Sequence, residues 1–342
     1  MNGPDAPTLP TVKHAAIYGT GSYAPAKILS NDDFARTLDT NDEWITSRTG
    51  IKERRIAAPG EATSDMCLHA AKAALQNSNL SADELDLIIV GTITPDYPFP
   101  SAACILQQKL GIAGKHIPAF DISAACSGFI YGMSVAEAFI RSGMARRVLI
   151  VGAEVLSNIV DYTDRATCIL FGDAAGAVVM GPERSNGPSH TVLSTTMYAD
   201  GEGAMLLHVA AGGSLRPASV ATINEKQHYI RLGGREVFRF GVTVAVDMIK
   251  EAMERHNLKA EDIGAIVPHQ ANIRIIESAA ERLNLPLSLF VTNIERYGNT
   301  SAASVPLALD EVSRAGKLPP GKPVIMLAFG AGLTWTSAVV RW

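Results

Sequence analysis

The chain repeats itself. The segment KAALQNSNLSADELDLIIVG from Lys72 is answered by KEAMERHNLKAEDIGAIVPH from Lys250, 178 residues on. At the same spacing SAAC (Ser123 to Cys126) answers SAAS (Ser301 to Ser304), and VLIVGAE from Val148 answers MLAFGAG from Met326. Three weak matches in one register are hard to obtain by accident, and they imply a duplicated architecture. We read two homologous halves, residues 1–183 and 184–342, meeting near Gly181 to Thr191. Each half runs through an amphipathic helix, a short apolar strand (Leu85 to Val90; Ile263 to Val267), a loop and a second helix. Val, Ile and Leu runs of this length between helical patterns belong to strands buried on both faces of a largely parallel sheet. Two such halves packed together give a five-layer α/β/α/β/α body. The region from Gly181 to His228 breaks the pattern with Gly, Pro and Ser, and reads as a connection followed by a surface excursion over 215–228.

Composition narrows the function classes. With 47% hydrophobic and 19% charged residues over 342 positions, disorder and coiled coil are both poor readings. Thirty Lys and Arg against thirty-four Asp and Glu leave a net charge of -4, which offers no excess of positive charge for nucleic acid. No apolar run approaches the roughly 18 residues of a membrane span, and MNGPDAPTLPTVKHAAIYG lacks a charged segment followed by an apolar one, so a cytoplasmic protein is expected. Cys67, Cys104, Cys126 and Cys168 are widely spaced with no CxxC pair, which argues against a disulfide framework and against a bound metal such as zinc.

Three residues have settings that suit chemistry. Cys126 follows a short apolar strand (Ala119 to Ser123) and precedes a helical pattern from about Ser127. A thiol at a helix amino terminus is expected to have a lowered pKa, since the dipole favours an anion. Cys67, Cys104 and Cys168 lie in plain helical or strand patterns and read as small buried hydrophobes. His269 stands where a buried strand runs into Pro268, at the mouth of the sheet, where open α/β folds bind ligands. Asn299 precedes the helix that duplicates the one behind Cys126, so symmetry aims it at the same pseudo-twofold axis. The turn FGAGLTWTS from Phe329 can bring backbone N–H groups close to an oxyanion or phosphate. IYGTGSYAP near the amino end lacks the third glycine and the acidic residue of a dinucleotide fingerprint, and no nicotinamide cofactor is expected.

Together these segments resemble the β-ketoacyl-acyl carrier protein synthase III family of the thiolase-like superfamily. The resemblance covers nearly the whole chain. It is carried by NDEWITSRTGI (Asn41 to Ile51), PFPSAAC (Pro98 to Cys104), DISAACSGF (Asp121 to Phe129), TDRATCILFGDAAGA (Thr163 to Ala177), VPHQANIRI (Val267 to Ile275), YGNTSAASVP (Tyr297 to Pro306) and FGAGLTWTSAVV (Phe329 to Val340). It implies a thiolase-like duplicated fold and a condensing enzyme with Cys126 as nucleophile, completed by His269 and Asn299. It further implies coenzyme A binding by Trp44, Arg48, Arg165 and Asn272, and an oxyanion hole from the N–H groups of Cys126 and Ala331. Arg274 matches a residue that faces the acyl carrier protein, and Phe99 an aromatic that reaches the partner's acyl pocket in a homodimer. The family's last motif usually has further glycine where this chain has Ala331 and Thr336.

The reaction implied is a decarboxylative Claisen condensation of a short acyl-coenzyme A, acetyl being expected, with malonyl-acyl carrier protein, at the start of fatty acid synthesis. No cofactor is implied, because the coenzyme A thioester is a substrate. Two alternatives remain open on sequence: a condensing enzyme that primes a polyketide or quinolone, and a cysteine hydrolase, since Cys, His and Asn also form papain-like triads.

Overall fold

The computed structural model describes residues 14–184 and 190–342. Part of the junction read between the halves, 185–189, lies outside them, as do residues 1–13. Among the described residues the largest sheet has nine strands. They are β1 (Ala15–Tyr23), β2 (Leu87–Gly91), β3 (Ala119–Ile122), β4 (Val148–Glu154), β5 (Ala174–Pro182), β6 (His190–Ala199), β7 (Ala265–Pro268), β8 (Pro323–Gly330) and β9 (Thr334–Arg341). Their order is β7-β8-β9-β6-β1-β5-β4-β2-β3. β3, β2 and β4 run parallel, as do β7 and β8, while β5 and β9 turn back antiparallel beside β4 and β8. Among the described residues the two halves of the sheet join where Ala16 and Ile17 of β1 meet Thr191 and His190 of β6.

Seven helices matter to the site: α1 (Asp42–Thr49), α2 (Thr63–Ser78), α3 (Ala102–Lys109), α4 (Gly128–Arg141), α5 (Gly234–Arg255), α6 (Ile273–Leu283) and α7 (Ser304–Arg314). Strand alternation sorts the apolar side chains into layers. Leu87 and Ile89 face the centre with Phe129, Met133, Val305 and Leu309 of α4 and α7, while Ile88 and Val90 face outward under α2 and α3. In the second half Val324 and Met326 face the same centre, and Ile325 and Leu327 face out under α5 and α6. The result is the expected five layers, α2/α3, sheet, α4/α7, sheet, α5/α6. The glycines that looked like part of a dinucleotide loop serve this packing. A Cβ on Gly21 of β1 would lie 2.3 Å from the backbone N of Ala74 in α2.

The duplication is real but its register changes along the chain. The 178-residue spacing holds through α2 and α5, which close on left-handed Asn79 (φ 54°) and Asn257 (φ 50°). Past β7 the spacing is 176. Leu87 pairs with Val148 and Ala265 with Val324, and the turn Ala125–Ser127 before α4 answers Ser301–Ala303 before α7. Both turns start from a left-handed residue, Ala125 at φ 46° and Ser301 at φ 49°. The SAAC and VLIVGAE matches are therefore displaced by two residues from the true equivalence, in which Cys126 answers Ala302 and Glu154 answers Gly330.

Two other expectations are corrected. Residues 190–199 are not a loop but β6, the strand that joins the halves, whose half-exposed Ser and Thr face hides it from a search for apolar runs. Beyond it the excursion is partly ordered, with Leu207–Val209 pairing with Ile230–Leu232 and a short helix over Val220–Asn224. Cys104 is exposed, whereas Cys67 and Cys168 are buried as expected. Among the described residues no helix is long and apolar enough to cross a membrane.

Candidate active site

The nucleophile candidate sits at the pseudo-twofold axis. Cys126 is only 6% exposed, in the turn before α4. Its neighbour Ala125 takes a left-handed backbone, a conformation that costs a non-glycine residue about 1–3 kcal/mol and concentrates at functional sites. Gly91 and Gly128 let α4 approach β2, since a Cβ on Gly91 would lie 2.5 Å from the Gly128 carbonyl carbon. Thr334 pins the turn from the other half, its hydroxyl 3.1 Å from the Ala124 carbonyl and 3.0 Å from the Ser127 hydroxyl.

His269 follows β7 directly, its N–H donating to the Leu327 carbonyl (2.8 Å) and its ring edge-on to Phe329 (5.5 Å between centroids). The next residue holds it there. Buried Gln270 donates from its amide to the Pro268 and Val291 carbonyls and accepts from the Asn293 N–H. The buried Nδ1 of His269 has no partner among the described residues. Asn299 forms a bridge with Phe171, and its Oδ1 accepts from the Ser301 N–H at 2.9 Å. That bond consumes the acceptor end of the amide and leaves the NH₂ end as a donor.

Burial sets the protonation of this group. It pushes the Cys126 thiol up to about 12, with the charge of Glu154 adding to the effect. The expected lowering by the helix terminus is thus overridden by desolvation in the free protein. Burial also pulls His269 down to about 3, so its imidazole is neutral at physiological pH.

Cys126, His269 and Asn299 line one cavity of about 330 Å³, walled by Phe238, Phe240, Phe329 and Gly330 and reaching Trp44 and the exposed Arg48. Residues 120–201 match the family model for 3-oxoacyl-[acyl-carrier-protein] synthase III, and residues 253–342 match the model for its C-terminal part. A β-ketoacyl-[acyl-carrier-protein] synthase III of Caldanaerobacter subterraneus is 52% identical over 328 residues, covering 96% of this chain and 98% of that one. The chain belongs to the β-ketoacyl-[acyl-carrier-protein] synthase III family. The crystal structure of the Aquifex aeolicus synthase III, 48% identical, superposes with a TM-score of 0.86 over 96% of this chain and all of that one. The priming β-ketosynthase of the R1128 polyketide pathway is 35% identical, with a TM-score of 0.87 over 99% and 98% of the two chains. Synthase III enzymes are condensing acyltransferases, and the cysteine hydrolase reading falls away.

The other expected residues of this synthase are placed differently. Trp44 carries two guanidiniums, with Arg48 Cζ at 4.5 Å and Arg165 Cζ at 4.8 Å from its ring. Asn272 lines the cavity and is held in place at both ends of its amide: Oδ1 caps α6 through the Arg274 N–H, and Nδ2 donates to the Arg48 carbonyl at 3.0 Å. Arg274 is exposed and lies over Phe238, a cavity residue, at 5.8 Å. Phe99 is outside the cavity, 85% exposed. In the FGAG turn it is Gly330 that forms cavity wall, with Ala331 next in the chain and its carbonyl 3.2 Å from the Thr334 hydroxyl.

Sequence reading missed several residues. Leu207 and Leu232, at the base of the excursion, help wall the cavity. Thr334 and Gln270 each lie inside a singled-out motif, and their part in the site comes from bonds to distant segments, Ala124 and Ser127 for Thr334 and Val291 and Asn293 for Gln270. Glu154 ends β4 fully buried, accepting from Thr92, Thr94, Ser301 and the Ile93 N–H. Burial pushes its carboxyl up to about 7 against the pull of those donors. A carboxylate inside an apolar strand was the available signal.

Proposed function

We propose that this synthase condenses a short acyl group from coenzyme A, with acetyl the expected starter, with malonyl-acyl carrier protein. The products are a 3-ketoacyl-acyl carrier protein, free coenzyme A and carbon dioxide, and the step opens fatty acid synthesis. The observation that carries the reading is the single cavity in which Cys126, His269 and Asn299 converge. The Cys126 thiolate attacks the thioester carbonyl, forming an acyl-enzyme as the coenzyme A thiol departs, which splits one hard condensation into two easier steps. The N–H groups of Cys126 and Ala331 hold the developing oxyanion, each such donor contributing about 2.7–4 kcal/mol.

Cleavage of the malonyl carbon–carbon bond then leaves its electron pair in an enolate whose charge sits on the thioester oxygen. That oxygen needs donors that keep their protons. Neutral His269, donating from Nε2, and the free end of the Asn299 amide meet the requirement. The enolate carbon attacks the acyl-enzyme and releases Cys126. No cofactor enters, since the coenzyme A thioester is consumed as substrate.

Trp44 offers a flat face, and Arg48 and Arg165 planar cations, for the adenine and phosphates of coenzyme A. Asn272, which lines the same cavity, faces the ligand beside them and also ties α1 to α6 through the Arg48 carbonyl. Arg274 receives the acidic carrier protein, and exposed Phe99 completes the acyl pocket of a second copy in a cytoplasmic homodimer. Identity to the polyketide-priming enzyme, 35%, is lower than to the Caldanaerobacter and Aquifex synthases III, 52% and 48%, which supports the synthase III role over the priming one.

Intact-mass analysis with acetyl-, isobutyryl- and octanoyl-coenzyme A, followed by malonyl-acyl carrier protein, tests the scheme. Wild type should gain an acyl adduct that the malonyl carrier discharges to a 3-ketoacyl product, and Cys126→Ser should gain none. His269→Ala and Asn299→Ala should still acylate but discharge about a hundredfold more slowly or worse. An adduct that only water discharges would refute the scheme, as would variants that fail to acylate while decarboxylating normally.

A further inference from the structure

Among the described residues one arginine or lysine is fully buried, Arg54. It stands in the short strand Glu53–Ile56, which pairs antiparallel with Lys27–Ser30, and its Cζ lies 4.7 Å over the Phe34 ring. Burying a guanidinium is costly unless its donors are met, and buried cations are ordinarily paired with a carboxylate. Among the described residues the partners of Arg54 are uncharged oxygens instead. Nε and Nη2 both donate to the Ile169 carbonyl, and Nη1 donates to the Leu29 carbonyl at 3.3 Å and to Asn31 Oδ1 at 2.8 Å. Burial pushes its pKa down only to about 10, so the charge persists at physiological pH.

Two of these contacts lead to opposite ends of the cavity. Ile169, Leu170 and Phe171 are cavity wall, and their segment holds the Asn299 backbone. The Asn299 N–H donates to the Leu170 carbonyl at 2.8 Å, and the Asn299 carbonyl accepts from the Gly172 N–H at 3.1 Å. Arg54 packs between this segment and the residue before Asn299. A Cβ on Gly172 would lie 3.0 Å from Arg54 Cβ, and one on Gly298 would lie 3.6 Å from its Cγ. In the other direction stands buried Asn31. With Oδ1 taken by Arg54, its Nδ2 donates to the Ile51 carbonyl at 2.7 Å and to the Asp42 carboxylate at 2.8 Å. Asp42 opens α1, the helix that carries Trp44 and Arg48.

We propose that Arg54 is a positioning residue for the condensation, a buried cation that fixes the Asn299 segment through Ile169 and the coenzyme A-facing helix α1 through Asn31. This deepens the synthase reading and rests on it for the use made of the two ends. The planar fork suits the task, because two donors on one carbonyl set its direction while a third reaches Asn31, a geometry that a lysine ammonium does not reproduce.

The test measures both half-reactions and peptide-resolved hydrogen exchange on the full chain, well below the Tm of each variant. The donor is whichever of acetyl-, isobutyryl- and octanoyl-coenzyme A acylates wild type best. Arg54→Lys keeps the charge and loses the fork. It should raise KM for that donor about tenfold and slow discharge of the acyl-enzyme by malonyl-acyl carrier protein about tenfold. Exchange should quicken in peptides covering 42–50, 168–173 and 296–300. Asn31→Asp sets a second carboxylate against Asp42 but leaves Arg54 on Ile169. It should raise KM by a similar factor and quicken exchange at 42–50 alone, with discharge changed less than about twofold. A lower Tm with KM, discharge and exchange at these segments unchanged would overturn the proposal, as would Asn31→Asp slowing discharge as much as Arg54→Lys. If Arg54→Lys does not fold, an unchanged KM in Asn31→Asp overturns it. Exchange needs no acyl donor, so the expected exchange pattern in a protein whose wild type forms no acyl adduct would strike the synthase scheme and leave the frame around Arg54 standing.

Discussion

Burial does opposite work on two residues that line the cavity, Cys126 and His269. For Cys126 it opposes the thiolate, so reactivity has to come from groups that stabilise charge as the substrate arrives. For His269 it secures the neutral ring that the proposed decarboxylation requires. The His269 ring also links stability to pH. Its folded pKa of about 3 lies below the ordinary 6.5, so between those values the unfolded chain binds a proton that the folded chain refuses. Stability from this residue is complete above about 6.5 and is lost as pH falls towards 3. Glu154 runs the other way, holding a proton in the fold up to about 7 and weakening the fold as pH rises from its ordinary 4.5. The Tm difference between wild type and His269→Asn therefore isolates the histidine. It should shrink or reverse as pH drops below 6.5, and a constant difference would contradict the assignment. None of these directions could be read in the sequence, where His269 and Cys126 show neighbours along the chain but not the Phe329 ring or the Glu154 carboxylate.

At the scale of elements, the site is made by close approach. A Cβ at Gly330 would fall 2.9 Å from the Cys126 N and 3.0 Å from its Cβ, atoms held by α4 and unable to give way cheaply. Gly330→Ala should abolish the acyl adduct in intact-mass analysis while lowering Tm by only a few degrees, a cost of about 1–3 kcal/mol. An alanine variant that acylates normally would mean the turn before α4 is more pliable than its Thr334 and Gly128 contacts imply. Continuous apolar runs announced β2, β4, β7 and β8, because strands covered on both faces admit little else. β6 gave no such signal, since its outer side chains are half-exposed Ser and Thr. The repeat announced the paired helices α4 and α7, yet string similarity set their register two residues wrong. Backbone conformation, with left-handed Ala125 and Ser301, is what identifies equivalent positions.

Across the whole molecule, charge is distributed unevenly. The chain carries a net -4, yet Arg235 and Arg239 of α5 are exposed on the helix that bears Phe238, and Arg274 lies over that ring. An acidic carrier protein would be steered to this end of the cavity by long-range attraction. Arg274→Ala should slow the carrier-dependent step several-fold at low salt and flatten its salt dependence, with a smaller effect on acylation from coenzyme A. Equal losses in both half-reactions would argue against a carrier-facing role.

The amino-acid order alone settles the duplicated α/β class and the five layers, and it singles out Cys126, His269 and Asn299, because periodicity, repeats and motif residues are local properties of the string. Packing in three dimensions settles the rest. It commits Asn272 to a helix cap, sends Phe99 to the surface, and drives the Cys126 thiol up rather than down. It also sets Glu154 against Ser301 across the axis, 147 residues apart in the chain. Desolvation and hydrogen bonding depend on which atoms become neighbours, and those neighbours come from opposite halves of the molecule.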